Sequence, residues 1–413
     1  MNKRVLLICY YFPPLGLGGV GRPLNLFKRL PNHGWDCDVL TVKPVLYRAY
    51  EPELLDGLDM SRIFRSGSRD PQRLLYLLGM RTIKAGTISR GRKVSGKFFP
   101  DSKVGWVYPA IRLGRKLCRE HSYEAIISTS PPVSSHLIGM ELAQQYDLPL
   151  IADWRDFWTI YKAEEEFHTE ARRQQVRQLL QDITGTAAEV TGVNQSIIEY
   201  LGKGETLTNG YDPDLAEAWR AEPDRKKFTI GLLGHQHDTR ELEPLLILLE
   251  RLRDINPESL KRIRILQVGQ IDPDWFRHLL AERSLNIEAD LRGQQKRVDT
   301  IRILAAAHVF YYGVSDREGP GFLPGRTFEL IASGRPVFAW TKPDSEIARV
   351  LTPTGNACCF DRDSLDRAVT ELSNQIAQFN DGQYQFEPLT EYATRFSAEA
   401  LAGKFAKILD RVT

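Results

Sequence analysis

Short apolar runs alternate with segments of helical periodicity along the chain. In the first half, strand-length apolar runs occupy residues 5–9, 37–41, 125–128, 150–152 and 190–193. Helical spacing of apolar side chains follows at residues 23–30, 134–146 and 195–201. Strands that are apolar almost throughout are buried on both faces, as in parallel sheets. The alternation therefore predicts an α/β domain with a parallel sheet wound on both sides.

The same alternation starts again in the second half. Strand-length apolar runs occupy residues 228–233, 262–269, 286–291, 308–312 and 337–340. Between the two series, residues 207–213 and the polar run 221–227 are typical of a surface crossing. Since 413 residues suit two domains of roughly 200 residues each, we predict domains at 1–206 and 207–392. Residues 393–413, with apolar side chains at helical spacing, form a terminal helix.

Composition narrows the class of protein. A content of 42% hydrophobic and 26% charged residues is normal for a soluble globular chain. No stretch approaches the roughly 20 apolar residues that cross a bilayer, and the chain enters its first predicted strand without the features of a signal peptide. The cysteines, at 9, 37, 118, 358 and 359, are odd in number and lack Cys-x-x-Cys spacing. Reduced thiols and a cytoplasmic protein are expected.

The net charge of +2 conceals an asymmetry. Residues 1–120 hold 22 Lys and Arg against 9 Asp and Glu, a balance of +13, and the remainder balances at −11. Basic residues are densest between Arg81 and Lys116. The apolar residues beside and among them are Leu74, Leu75, Leu77, Leu78, Phe98, Phe99 and Trp106. This combination favours an anionic membrane surface as partner. No nucleic-acid-binding motif accompanies it, so no nucleic acid is expected; an ordinary solvated face is the alternative.

A glycine-rich segment follows the first predicted strand. Gly16, Gly18 and Gly21 match the dinucleotide pattern G-x-G-x-x-G, but residues 10–15 separate them from the strand. The end of the next strand also lacks the carboxylate that would bind a ribose. We therefore interpret residues 13–21 as an open loop whose backbone N–H groups can approach phosphates. A purely structural turn is the alternative.

A second glycine-rich loop, at residues 319–325, opens a short predicted helix that ends at Gly334. Free N–H groups at such a helix start attract a phosphate. Arg326 adds a bidentate donor, and Glu329, one turn further, can accept hydrogen bonds from ribose hydroxyls. These features predict a nucleoside-diphosphate site, against the alternative of a turn before a packing helix.

Several segments together resemble family 4 glycosyltransferases. They are RVLLICYYFPPLGLGGVGR at 4–22, AIISTSPPVSSH at 125–136, PLIADWRDFW at 149–158, TNGYDP at 208–213, FTIGLLG at 228–234, and the loop and helix at 319–339. The resemblance implies the GT-B fold of two facing Rossmann-like domains, with the last helix crossing back to the first domain. It also implies metal-independent sugar transfer from a nucleotide-sugar with retention of anomeric configuration.

The resemblance assigns donor-site residues. Gly18 and Gly19 would line the cleft near the diphosphate and the acceptor. The loop after strand 228–233 would contribute Gly234 and a basic residue for the phosphates, for which Arg240 is the best match. Pro324, Gly325, Arg326 and Thr327 would surround the diphosphate, and Glu329 would bind ribose. Many members carry another glutamate eight positions earlier, where this chain has Gly321.

Asp153, Arg155 and Asp156 lie at the carboxyl end of a predicted strand, where ligands bind in open α/β sheets. Two carboxylates around a guanidinium could hold acceptor hydroxyls or assist proton departure; an internal salt bridge that fixes the loop is the alternative. Some members of the resembling family carry a cleft histidine near this strand end. His136, at the start of a predicted helix, is interpreted as structural.

Metal binding is not expected. His235, His237 and Asp238 are metal ligands by residue type, but no fourth candidate lies near them. Arg240 could alternatively pair with Glu241 or Glu243.

Together, the motifs and the charge distribution predict a cytoplasmic retaining glycosyltransferase, peripheral at the inner face of the membrane, that uses a nucleoside-diphosphate sugar and a lipid-linked or saccharide acceptor. A nucleotide-sugar epimerase and a non-catalytic binding protein of the same fold are the alternatives.

Overall fold

A computed structural model describes residues 2–16, 18–45, 50–70, 73, 98–156, 169–236, 239–314, 321–385 and 391–413. The chain forms two compact units. The first comprises Met1–Asn209 and Ala398–Thr413, and the second comprises Gly210–Ser397. The basic residues between 81 and 97 lie outside the described residues.

The first unit contains a seven-stranded sheet with the order β3-β2-β1-β4-β5-β6-β7, in which the paired strands are parallel. The strands are β1 Lys3–Ile8, β2 Trp35–Val42, β3 Ile63–Ser66, β4 Ala125–Ser130, β5 Leu150–Trp154, β6 Glu189–Gly192 and β7 Glu205–Thr206. The described helices up to the end of this sheet are α1 Gly21–Arg29, α2 Val107–Glu120, α3 Ser134–Tyr146, α4 Glu170–Thr186 and α5 Gln195–Leu201.

The apolar runs are buried on both faces, as the sequence pattern predicts. Val5 and Leu7 of β1 pack into one hydrophobic cluster with α1, whereas Leu6 and Ile8 pack into another with α2 and α3. Successive side chains of a strand point to opposite faces, so one apolar strand serves both layers.

The second unit contains a six-stranded sheet with parallel pairings and the order β10-β9-β8-β11-β12-β13. Its strands are β8 Phe228–Leu233, β9 Ile263–Val268, β10 Glu288–Leu291, β11 Val309–Gly313, β12 Val337–Trp340 and β13 Ala357–Phe360. Its described helices are α6 Pro213–Ala216, α7 Thr239–Ile255, α8 Pro257–Lys261, α9 Pro273–Glu282, α10 Arg297–Leu304, α11 Arg326–Ala332, α12 Glu346–Leu351, α13 Leu365–Asn380 and α14 Glu391–Thr394. The predicted α/β class with two parallel-sheet domains is confirmed.

The last helix, α15 Ala398–Val412, belongs to the first unit. Its apolar stripe, with Leu401, Phe405 and Leu409, is buried in the cluster that includes β1 and α1. The chain therefore returns to the first unit at its end, as the resemblance implied. Across the described ranges, no helix is both long and apolar enough to span a bilayer.

Each sheet has one point where the strand order reverses. This point lies between β1 and β4 in the first unit and between β8 and β11 in the second. Loops that leave the carboxyl ends of such strands diverge and open a crevice in which open α/β sheets bind ligands. The predicted residues Gly18 and Gly19 follow β1, Gly234 and Arg240 follow β8, and residues 324–329 follow β11, whereas Asp153, Arg155 and Asp156 lie at the end of β5, the strand next to β4.

Candidate active site

In the second unit, Gly234 and Arg326 lie beside each other. Gly234 follows β8 with φ +95°, and a Cβ atom at this position would lie 3.4 Å from Nη1 of Arg326. Glycine adopts this backbone conformation without strain, and its missing side chain leaves the guanidinium approachable. Two residues predicted for the donor site, 92 positions apart in the sequence (326 minus 234), are thus brought together at the β8–β11 reversal.

Tyr312, near the end of β11, holds the Arg326 side chain. The guanidinium carbon lies 4.8 Å from the centroid of the tyrosine ring, within the range of cation–π attraction. The Tyr312 hydroxyl and Oγ1 of Thr327 are 3.1 Å apart. Thr327 is buried, so its side chain contributes to this support rather than to a surface open to a ligand. The sequence did not identify Tyr312 as a site residue, because it lies in an apolar strand pattern that predicts only burial.

The turn before α11 contains the other predicted residues of this loop. Gly325 precedes the helix, and the carbonyl of Pro324 accepts a hydrogen bond from the Thr327 amide at 3.1 Å. That amide is therefore already bonded within the turn. The Phe328 amide is bonded in the same way, to the Gly325 carbonyl at 3.1 Å.

Glu329 lies one turn into α11 and forms an ion pair with Arg297, the first residue of α10. The Glu329 side chain is 16% exposed and that of Arg297 is 32% exposed. A carboxylate in such a pair keeps oxygen lone pairs that can accept hydrogen bonds from a ribose diol. Sequence analysis missed Arg297 because the two residues meet only through the fold.

Arg240 is exposed in the first turn of α7. The start of this helix is fixed to β11, since the Tyr311 hydroxyl donates to the Glu241 carbonyl at 2.8 Å. Of the two carboxylates considered as partners of Arg240, Glu243 pairs with Arg283 at 2.5 Å. The helix start that carries Arg240 is therefore anchored to β11.

His235 follows Gly234, and its Nδ1 accepts a hydrogen bond from the Gln270 amide at 3.0 Å. Nδ1 is therefore unprotonated, and a neutral ring carries its proton on Nε2. His237 and Asp238, the other two residues considered as metal ligands, lie outside the described residues. The described part of the chain contains no group of three or more His, Cys, Asp or Glu side chains arranged to hold a metal ion.

In the first unit, the carboxylate of Asp153 is fully buried at the end of β5. It accepts hydrogen bonds from Arg22, from Oγ1 of Thr129 at 2.7 Å and from Oγ1 of Thr191 at 2.8 Å. Burial alone would raise the pKa of Asp153, but the Arg22 charge, the hydrogen bonds from Arg22 and Thr129, and the Arg155 charge lower it overall. Asp153 thus forms the internal salt bridge of the alternative interpretation, with Arg22 as its partner.

Arg155 fixes the glycine loop. Its guanidinium donates to the carbonyls of Gly19 at 2.5 Å, Ser130 at 3.0 Å and Pro131 at 3.3 Å. Desolvation lowers the pKa of Arg155, an effect that the Asp153 charge opposes. Gly18 and Gly19 lie in the 3-10 turn Gly18–Val20 that leads into α1. Of the three predicted polar residues at this strand end, Asp156 is the exposed one.

His136 is buried in α3 and does not face a crevice. Its Nδ1 lies 2.7 Å from Oγ of Ser128, and its ring centroid lies 4.5 Å from that of Trp154. Burial lowers the pKa of His136 to about 3. The imidazole is therefore neutral near pH 7 and packs within the sheet–helix interface.

These two parallel-sheet units constitute a GT-B fold, and solved structures of similar architecture cover the whole chain. Sucrose-phosphate synthase from Thermosynechococcus elongatus matches with a TM-score of 0.62 and 16% identity, over 100% of this chain and 99% of that one. A glycosyltransferase from Rickettsia africae matches with a TM-score of 0.58 and 13% identity, over 100% and 98%. A candidate UDP-N-acetylglucosamine 2-epimerase from Listeria monocytogenes matches with a TM-score of 0.54 and 13% identity, over 98% and 95%.

No protein-family model and no curated protein matches the chain by sequence. At these levels of identity the solved structures establish the fold, which both glycosyltransferases and an epimerase share. The activity has to be argued from the residues of this chain.

Proposed function

We propose that the protein is a retaining glycosyltransferase that moves a sugar from a nucleoside-diphosphate sugar to a lipid-linked or saccharide acceptor. The observation that carries this proposal is the position of the Arg326 guanidinium beside Gly234, with the Glu329 carboxylate one turn further along α11. The family 4 resemblance of the sequence and the likeness to two solved glycosyltransferase structures support it.

The spacing of the two charged side chains suits a nucleoside diphosphate. Residues three apart on a helix are neighbours on one face, with Cβ atoms about 5–6 Å apart. A guanidinium binds phosphate oxygens through parallel N–H groups, and a carboxylate accepts from the ribose hydroxyls. Arg326 and Glu329 would therefore bind adjacent parts of the same ligand.

Charge develops on the diphosphate as it leaves the sugar. Arg326 and Arg240 would stabilise that charge, which is the main electrostatic requirement of the reaction if no metal takes part. We propose metal-independent transfer on this basis. His235, whose ring is oriented by Gln270, lies on the same loop as Gly234.

The acceptor would bind at the carboxyl end of the first sheet. There, Arg155 shapes the glycine loop and the buried Asp153–Arg22 pair supports it. Asp156 is exposed at the same strand end and is the residue we propose to contact an acceptor hydroxyl.

A membrane-bound acceptor agrees with the charge of the first unit. On α2, Arg112, Lys116 and Arg119 are exposed, and Tyr108 near its start is 62% exposed. Basic side chains together with an interfacial aromatic ring suit an anionic bilayer surface. We propose that the protein works in the cytoplasm at the membrane surface.

A nucleotide-sugar epimerase is the second candidate, because a candidate epimerase shares the fold at a similar TM-score. Purified protein incubated with UDP-, GDP- and ADP-sugars, with and without membrane extract, separates the possibilities. Transfer that needs extract and retains the anomeric configuration supports the transferase. A changed sugar from the donor alone identifies an epimerase, and nucleotide binding without turnover identifies a binding protein.

A further inference from the structure

Strand β9, next to β8, forms hydrogen bonds with both the backbone N–H and the backbone carbonyl of Gly234. The Gly234 amide donates to the Val268 carbonyl at 2.9 Å, and the Gly234 carbonyl accepts from Nε2 of Gln267 at 2.9 Å. Gln267 is fully buried at the end of β9. The backbone that faces Arg326 is therefore positioned by residues that do not themselves belong to the predicted site.

Gly269 presses against the same peptide. It has φ +137°, and a Cβ atom at this position would lie 2.2 Å from the Gly234 carbonyl oxygen and 2.4 Å from its carbonyl carbon. Contacts under 3.0 Å to backbone atoms require the backbone to move. Any side chain at position 269 would therefore displace Gly234.

A displacement of Gly234 alters the surroundings of the guanidinium. A Cβ atom added at Gly234 would lie only 3.4 Å from Nη1 of Arg326. The Arg326 guanidinium also packs on the ring of Tyr312, which restricts its movement. Misplacing a ligand-binding group by about 1 Å can cost on the order of 100-fold in function.

We propose that Gln267 and Gly269 are positioning residues of the donor site, which hold the Gly234 peptide against Arg326 in the geometry that a nucleoside diphosphate requires. This inference rests on the proposed function, since it assumes that Arg326 and Gly234 receive the diphosphate. Neither residue carries a charge, and both would act through the Gly234 backbone that they contact. Substitution of Gln267 or Gly269 should therefore lower nucleotide affinity, although other residues would contact the nucleotide.

Two variants and a matched control test the proposal. Gly269→Ala introduces the clash. Gln267→Met removes the hydrogen bond to the Gly234 carbonyl, and with it Oε1 of Gln267, a buried acceptor with no partner in the described part of the chain. The Gly234 carbonyl then lacks this donor, so some loss of stability is expected and affinity is compared in the folded variant. Gly355→Ala is the control, because Gly355 also has a positive φ, +82°, but no atom lies within 4 Å of a Cβ there, and its amide donates to the Thr352 carbonyl rather than to the residues around Gly234.

Calorimetric titration with UDP, GDP and ADP first identifies the nucleotide that the wild-type protein binds most tightly. For that nucleotide we expect Gly269→Ala and Gln267→Met to raise the dissociation constant at least tenfold, and Gly355→Ala to leave it within twofold. Thermal unfolding without ligand is recorded in parallel. A purely structural role would lower the melting temperature and leave the affinity of the folded protein unchanged.

Wild-type affinity in folded Gln267→Met overturns the inference while the proposed function stands, and this variant decides the matter if Gly269→Ala does not fold. Failure of the wild-type protein to bind any of the three nucleotides overturns the proposed function and the inference with it.

Discussion

Arg22 donates two hydrogen bonds to the buried carboxylate of Asp153, from Nε to Oδ2 at 3.0 Å and from Nη2 to Oδ1 at 2.7 Å. Its remaining nitrogen, Nη1, donates to the Thr208 carbonyl at 2.6 Å. The guanidinium carbon also lies 5.3 Å from the ring centroid of Phe405 on α15. Arg22 therefore links the start of α1 to the end of β5, to the backbone at Thr208 and to helix α15.

This pair predicts a large effect of a small change. Asp153→Asn removes the negative charge that compensates buried Arg22, and breaking a buried ion pair typically costs about 3–5 kcal/mol. We expect urea denaturation at pH 7 to show a loss of that size in the free energy of unfolding. Asp156→Asn, on the exposed neighbour, is the control and changes stability by less than about 0.5 kcal/mol. Equal stabilities of the two variants would show that Asp153 is not a structural anchor.

Glu329→Ala removes the proposed ribose acceptor. A hydrogen bond to a charged group contributes about 1.5–3 kcal/mol, so the dissociation constant of the nucleotide rises roughly 10- to 100-fold. The fold survives because Arg297, the ion-pair partner of Glu329, is 32% exposed and can be solvated when the carboxylate is lost. Glu258→Ala, on a well-exposed carboxylate of α8, serves as control. Unchanged calorimetric affinity in folded Glu329→Ala would remove Glu329 from the site.

Arg326→Ala and Arg240→Ala lower turnover more than donor affinity, since both guanidinium groups meet charge that grows as the diphosphate leaves. Loss of one such donor costs about 10²–10³ in rate. Tyr312→Leu removes the ring under Arg326 and lowers turnover in the same direction, whereas Tyr312→Phe keeps the ring and has the smaller effect. Steady-state rates across donor concentrations separate kcat from KM. Activity abolished by a chelator and restored by a divalent metal would contradict metal-independent transfer.

The sequence pattern predicted elements best where burial is continuous. Residues 228–233 coincide with β8 and residues 134–146 with α3, because each is an apolar pattern with polar boundaries. It missed β3, in which only the two terminal residues are buried, and β7, whose two residues are exposed. Backbone pairing at the edge of a sheet leaves no apolar run in the sequence.

The site divides in the same way. Gly234, Arg326 and Glu329 stay predictions for the donor site, and they were identifiable as candidates because glycine-rich turns and charged residues at a helix start are local signals. Their supports were not, since Arg22 and Asp153 lie 131 positions apart and Arg297 and Glu329 lie 32 apart. Such pairs arise when parallel strands bring distant loops to one edge, which no spacing rule in the sequence records.

His308 predicts a pH dependence of stability. Its Nδ1 accepts from the Thr229 amide at 3.0 Å, and burial lowers its pKa from 6.5 to about 4. The unfolded chain therefore binds a proton as the pH falls through 6.5, whereas the folded chain binds it only near 4. Stability is lost across this window, by about 3 kcal/mol at its lower end.

The matched variant is His308→Asn, whose side-chain oxygen can still accept from the Thr229 amide. It loses the ring stacking on Phe228 and is less stable at pH 7, but its stability should fall less between pH 7 and pH 4 than that of the wild-type protein. Urea denaturation at both pH values measures the two differences. Identical losses in the two proteins would show that His308 does not titrate in this window.

The basic first unit predicts salt-sensitive binding to anionic vesicles. Each basic residue near an anionic surface contributes about 1 kcal/mol, and screening acts over about 8 Å at physiological ionic strength. Co-sedimentation with vesicles containing phosphatidylglycerol should retain the protein, whereas neutral phosphatidylcholine vesicles should not. Replacing Arg112, Lys116 and Arg119 by glutamate should lower binding by at least about 100-fold, and replacing the four basic residues at 90, 92, 93 and 97 should have a similar effect.

The control replaces Arg220, Arg225 and Lys226, exposed residues of the second unit, by glutamate. This triple variant has the same net charge as the first one but keeps its vesicle binding if the first unit makes the contact. If both triple variants lose vesicle binding equally, the interaction depends only on the net charge of the protein. If the wild-type protein binds anionic and neutral vesicles equally, an acceptor in solution is favoured.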